Sequence, residues 1–286
     1  MLVAALSLSK IDLSTIEGYI SDIKKILAAP KPAVAVLPAH SALALGLGIG
    51  KLNSRNSYQE TFASYIADGA EWIREFLDLH GHLSKELQVY LAAGTVIEKE
   101  ENRLYHTVYC FNPVGQVCGV QRQTHLTRFE RDLNLSRGER LDLFTIGDLH
   151  TGLVVGNDAR HPEVGRIMAL QGADLLLYSG AIAGDQTCWQ QAAGMWAQVQ
   201  QNQFFAVEAQ LSTTIGGLNF GAGPAIVAPC EITFGNTGYL ALGNPVTPLV
   251  YADLDEKALA KIRNDYPLLK LLNPDAYSEL YRGEPK

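Results

Sequence analysis

The chain has 286 residues, 47% of them hydrophobic and 19% charged, which suits one folded domain with a sizeable core. Its net charge is −7, and no cluster of lysines and arginines breaks the acidic balance. A nucleic-acid surface is therefore not expected. The longest apolar run, residues 33–49, is interrupted by Pro38, His40 and several glycines, so no membrane span is expected either. The first nine residues lack a basic lead-in and read as a buried strand, and four cysteines without CxxC spacing suggest neither zinc nor a disulfide framework. The expected setting is the reducing cytoplasm, with no cofactor and no metal.

In chain order, Leu2 to Leu8 predicts a strand and Ile11 to Leu27 a helix, with Ile16, Ile20 and Ile23 at helical spacing. Residues 33–38 predict a second buried strand, followed by an irregular, Gly-rich loop from Ala39 to Asn56. Ser57 to Leu79 predicts one helix, and His80-Gly81-His82 a solvated turn at its end. A strand follows from Gln88 to Glu98, then a hairpin whose arms (104–112 and 117–123) flank the turn Pro113–Gln116. Strands at 141–144, 149–155, 173–178, 204–210, 225–229 and 249–254 alternate with helices opening at Pro162, Gln186 and Asp255. The polar tail from Pro267 is expected to pack on another surface. Strands alternating with helices, interspersed with hairpins, give an α/β fold with sheets covered by helices, read as a single domain over 1–286.

The segment from Gly152 to Glu163 organises this pattern. A buried strand ends at Val155, and a helix opens at Pro162. The corner between them, Gly156-Asn157-Asp158, is of the kind that presents a nucleophile at a strand end. Its apex here is glycine, which has nothing to react with.

The order of these motifs resembles the nitrilase superfamily of carbon–nitrogen hydrolases over nearly the whole chain. Val36-Leu37-Pro38 lies where that family has its Pro-Glu strand end. Arg122-Gln-Thr-His-Leu126 is similar to its Arg-Lys-x-His-Leu, and Gly156-Asn-Asp-Ala-Arg-His-Pro-Glu163 to its Cys-Tyr-Asp-x-Arg-Phe-Pro-Glu. Residues 172–179, Trp189, Gln201-Asn202 and the closing strand 250–255 continue the match. The resemblance implies a four-layer αββα sandwich, a Glu–Lys–Cys triad that hydrolyses amides, nitriles or carbamoyl groups, and a homodimer. The dimer is expected to pair through the helix from Pro162 and the one carrying Trp189 and Trp196.

Residue by residue, the triad is not there. Ala39 stands for the glutamate, Gln123 for the lysine and Gly156 for the cysteine. Their joint replacement is physically coherent: a buried carboxylate deprived of its cation costs roughly 3–5 kcal/mol, so once one charge goes, a neutral partner relieves the loss. The family's second glutamate has its nearest counterpart in Glu130. The resulting expectation is an inactive member that binds a small amide- or acid-like ligand, or a protein, at a site including Ala39, His40, Gln123, Glu130, Gly156, Asn157, Cys188 and Trp189. The alternative is an amidase or carbamoyl amidase with a rebuilt site, using Cys188 at a helix start or a water activated by His40. A third reading, a purely structural subunit, requires the pocket to be filled; an unfilled one should leave a roomy polar cleft under Gly156.

Blander roles compete at each position. Cys188 better suits packing under a loop, and His40 a pocket wall or cap. His125 suits a structural hydrogen bond, and Asp158, Arg160 and Glu163 an internal network of the corner. Gly46-Leu-Gly-Ile-Gly-Lys51 fits no phosphate-loop pattern. Cys110 and Cys118, flanking the hairpin turn, are expected to be reduced.

Overall fold

A computed structural model describes residues 1–185 and 188–278; the side chains at 185, 188, 189, 277 and 278 lie outside the described set. Two six-stranded sheets form its centre. The first runs in the order Leu249–Asp253, Leu2–Leu6, Val34–Val36, Tyr90–Glu100, Arg103–Phe111, Val117–Arg122. The second runs Tyr239–Leu242, Ala225–Val227, Phe205–Gln210, Leu175–Gly180, Leu149–Val155, Leu143–Ile146.

The layering follows from strand alternation. Val3, Ala5, Val34 and Val36 point from the first sheet into a core shared with Leu153, Val155, Leu175 and Leu177 of the second. Ala4, Leu6, Ala35 and Leu37 point the other way, into a core with Tyr19, Ile23, Phe62 and Phe76 of the outer helices. On the far side, Val154, Leu176 and Tyr178 meet Val164, Met168 and Val199. Both faces of the central strands are covered, which is why they read as unbroken apolar runs rather than alternating ones. The result is the four-layer αββα sandwich. No helix among the described residues is long and apolar enough to cross a membrane.

Several expected boundaries shift. The Gly-rich stretch after Ala39 is not a loop: Ser41–Gly48 is a helix. Its glycines are there for close approach, since a β-carbon on Gly46 would lie 2.5 Å from Trp72 Nε1, and one on Gly48 would lie 2.0 Å from the Leu13 carbonyl. The helix expected over 57–79 is two, Tyr58–Asp68 and Ala70–Leu87, parted at Gly69, where a β-carbon would meet the Tyr65 carbonyl at 2.5 Å. The second carries His80, Gly81 and His82 in its interior, so the expected solvated turn is absent. His80 is fully buried between the Tyr19 hydroxyl (2.8 Å) and the Phe76 carbonyl (2.7 Å). The helix expected from Gln186 to Asn202 is likewise split, into Cys188–Ala192 and Met195–Asn202. Between the strands at 205–210 and 225–227 the chain adds the hairpin Ser212–Ile215 and Leu218–Gly221. Beyond Pro267 a short turn of helix, Leu268–Leu271, lays Leu269 against the outer core.

Candidate functional site

Three strand ends converge where the two sheets meet. Val34–Val36 leads through Pro38 to Ala39, Leu149–Val155 leads to Gly156, and Leu175–Gly180 leads to Ala181. The sheets are stitched together at this point: the Ala39 N–H donates to the Gly180 carbonyl (3.1 Å) and Ser179 Oγ to the Leu37 carbonyl (2.8 Å). Gly156 keeps a left-handed backbone, φ +49°, a conformation that favours glycine. The Tyr178 hydroxyl holds its carbonyl at 3.1 Å.

The position facing Gly156 is taken by Gln123, which is fully buried. A β-carbon built on Gly156 would stand 2.6 Å from Gln123 Oε1. That oxygen is fixed by His106 Nδ1 (2.9 Å), while Gln123 Nε2 donates to Glu130 Oε2 (2.8 Å) and to the His125 carbonyl (3.0 Å). Glu130 thus does sit beside the position that the resemblance assigned to lysine. It opens the short helix Arg128–Asp132 as half of a capping box, accepting from the Thr127 N–H (2.7 Å) and hydroxyl (2.8 Å). Burial works against the charge of Glu130, but its bonds to His106 and Thr127 outweigh that and hold its carboxyl down to about 2. It is an anion at any physiological pH.

His106, in the strand Arg103–Phe111, was not singled out by the sequence, where it is one histidine in an alternating strand. It is the hub of the site. Its Nδ1 faces Gln123 Oε1 and Glu130 Oε1 (3.0 Å), and its Nε2 meets Thr95 Oγ1 at 2.6 Å. Thr95 Oγ1 also accepts the His40 N–H (2.9 Å). Both ring nitrogens of His106 thus have partners, Nδ1 two oxygens and Nε2 the Thr95 hydroxyl.

His40 lies parallel to His106, 5.1 Å between ring centroids and 3° between planes, with its Nε2 3.2 Å from the Tyr58 hydroxyl. Burial, and then the neighbouring His106, depress its pKa to about 3. Such an imidazole is a poor proton acceptor near neutrality, which weighs against its use to activate water.

A cavity of about 290 Å³ remains beneath Gly156, lined by Ala39, His40, Asn157 and Glu130 and by the rings of Tyr58, Phe62, Phe129 and Phe220. The site is therefore not packed shut, as the purely structural reading required. The polar cleft expected there is replaced by mostly apolar, aromatic walls, because the chain supplies rings from the helix Tyr58–Asp68, the segment at Phe129 and the strand Leu218–Gly221. Gln123 is not among the lining residues; it stands behind them. Of the other expected residues, Asn157 turns its Nδ2 to the His125 carbonyl (3.1 Å) and to His161 Nε2 (3.0 Å). Asp158 accepts from the backbone N–H groups of Thr124 and His125, and His125 Nδ1 lies 3.2 Å from its carboxylate, while Arg160, expected in one network with it, donates to the Gln190 carbonyl (3.3 Å). The side chains of Cys188 and Trp189 lie outside the described residues. Cys110 and Cys118 are free thiols, the latter donating to the Cys110 carbonyl (3.4 Å).

Among the described residues one group could offer three ligand atoms to a metal, His125, His161 and Glu163, all within 4.8 Å of one another. The two imidazoles are stacked at 4.1 Å with 15° between planes. Their in-plane lone pairs therefore do not converge on one point, and the arrangement is not a formed metal site.

The sequence pattern of carbon–nitrogen hydrolases matches residues 57–264, and the chain belongs to that family, within the nitrilase superfamily. It is 28% identical to the omega-amidase NIT2 of Homo sapiens over 227 residues, 76% of this chain and 80% of that one. It is 26% identical to a hydrolase of Schizosaccharomyces pombe over 208 residues, 69% of this chain and 62% of the yeast protein's length. Among solved structures, a carbon–nitrogen hydrolase from Helicobacter pylori G27 superposes with a TM-score of 0.77 at 21% identity, covering 98% of this chain and 96% of that one. A mutant amidase from Nesterenkonia sp. AN1 in complex with acrylamide gives 0.76 at 17%, covering 98% and 97%. At these identities the structural likeness speaks for the fold.

Proposed function

We propose that this member of the family binds a small ligand and does not hydrolyse it. The observation that carries the reading is the contact between Gln123 and Gly156. The nucleophile position has no side chain, and the room in front of it is occupied by an amide oxygen fixed by its neighbours. Nucleophilic hydrolysis of a C–N bond needs an attacking atom, a proton carrier and a group to balance the developing oxyanion. Ala39, Gly156 and a neutral Gln123 supply none of these, and His40 is held in a poor state for the second. The cavity of about 290 Å³ supports retained binding.

The likeness to omega-amidases keeps one rival specific: a hydrolase with its nucleophile moved to Cys188. Ammonia release from amides, carbamoyl amines and nitriles, measured against a heat-denatured blank and a Cys188→Ala control, separates the two. A homodimer belongs to the same reading. Ile167 and Leu170 of the helix Pro162–Leu170 are 43% and 59% exposed and border a groove of about 720 Å³ with Leu269 and Leu272. An apolar face of this kind suits burial against a second copy.

A further inference from the structure

The ligand-binding reading leaves open what the pocket accepts, and the charges around it narrow the choice. We propose that the cavity beneath Gly156 is selective for a compact organic cation, a protonated amine on a small apolar body, held by the Glu130 carboxylate and the faces of Tyr58, Phe62, Phe129 and Phe220. The inference rests on the reading that the pocket binds a ligand at all, and adds the sign of the ligand's charge.

Three observations carry it. Glu130 is the charged group of the lining, and no lysine or arginine lines the cavity among the described residues. Its oxygens accept from the Gln123 amide, the Thr127 hydroxyl and N–H, and face His106 Nδ1, and the carboxylate still borders the cavity. Gln123, which donates to the same carboxylate, is a neutral amide and brings no cation to it.

The second observation is the ring cluster. Tyr58 sits 5.7 Å from Phe62, 5.2 Å from Phe129 and 5.6 Å from Phe220, centroid to centroid. Phe62 and Phe129 are 5.4 Å apart. Aromatic faces carry negative potential and attract a desolvated cation. They and the carboxylate act with the same sign, and that sign opposes a carboxylate ligand.

The third is the uncharged state of His40 at the wall, where burial against Phe62, Phe220 and His106 outweighs the pull of the Glu130 carboxylate. His40 offers no positive charge to an acidic ligand. The cavity's size, at the lower edge of the roughly 300–1,000 Å³ usual for ligand sites, limits the occupant to about one ring or its equivalent.

The test is calorimetric titration of the full-length protein with three probes of one shape and different charge: benzylammonium, benzamide and benzoate. Benzylammonium is expected to bind about tenfold or more tighter than benzamide, as one charge contact near a protein surface allows, with benzoate weakest. Glu130→Gln should erase the ammonium preference, bringing benzylammonium to or below the affinity of benzamide for the same variant. Because Glu130 also caps a helix, Phe220→Leu provides a second variant that keeps the carboxylate. It should weaken benzylammonium about threefold to thirtyfold, the range of a cation–π contact, and weaken benzamide less, so that the ammonium preference narrows. Benzoate or benzamide binding as tightly as benzylammonium overturns the charge selectivity and leaves ligand binding standing. Silence of all three probes overturns both.

Discussion

Gln123 Oε1 stands 2.6 Å from the point where a β-carbon on Gly156 would be. Gly156 cannot gain a side chain while Gln123 keeps its place. Any side chain at 156 must displace an amide that His106 and Glu130 hold in place, and it must do so from a backbone angle of +49°.

Gly156→Ala is therefore expected to destabilise the protein, through left-handed backbone strain and the displaced amide together, by about 1–3 kcal/mol. Gly156→Cys should behave similarly and release no ammonia, since the thiol would lack both base and cation. Urea melts and the ammonia assay check the two halves of this expectation; a Gly156→Cys protein with turnover would contradict it.

Gln123→Leu removes the donor to Glu130 Oε2 and leaves a buried anion short of one partner. The expected cost is about 1–3 kcal/mol, read as a lower urea midpoint with an unchanged slope. Gln123→Lys, which places a cation beside the same carboxylate, should cost less than the leucine. The reverse order would show that Glu130 is not the group that Gln123 serves.

Stability should fall as pH drops from about 6.5 toward 4. His40 and His80 have folded pKa values depressed by burial to about 3 and about 4, so the unfolded chain binds their protons first. Their contribution is complete above the unfolded value of 6.5 and is lost progressively below it. Burial of Glu208 acts oppositely, lifting its pKa to about 7, so its carboxyl favours the folded state below about 4.5 and loses that effect as pH rises through 7. Thermal melts of wild type and of a His80→Gln variant over this interval resolve the histidine share, which should flatten in the variant. An acid limb of unchanged steepness in His80→Gln would rule His80 out as its source.

A dimer should be visible by light scattering, and Leu170→Glu, placing a charge on the exposed apolar face, should yield monomer with the fold intact. A monomeric wild type removes the pairing.

How much of this was legible beforehand depended on what each residue's neighbours in sequence reveal. The strands 34–36 and 175–180 announced themselves because burial on both faces leaves a run of apolar residues. The corner at Gly156 was legible because a strand end, a left-handed glycine and Pro162 at a helix start lie within a few positions. The helix at 41–48 was hidden because its glycines signal flexibility locally, while their purpose, contact with Trp72 and Leu13, is set by the tertiary fold. His80 was misjudged for a similar reason: the partner that buries it, Tyr19, is 61 residues away. His106 carried no local signal, and its role exists only where Thr95, Gln123 and Glu130 converge on it. The aromatic walls of the cavity come from three separate segments, so a polar cleft inferred from lost triad residues missed what replaced them.

A pocket that binds without turning over releases no ammonia. Purified protein is incubated with amides, carbamoyl amines and nitriles alongside a heat-denatured blank. No release above the blank is expected on any member of the panel. Turnover that disappears in Cys188→Ala would contradict that expectation and place a working nucleophile at a new position on this scaffold.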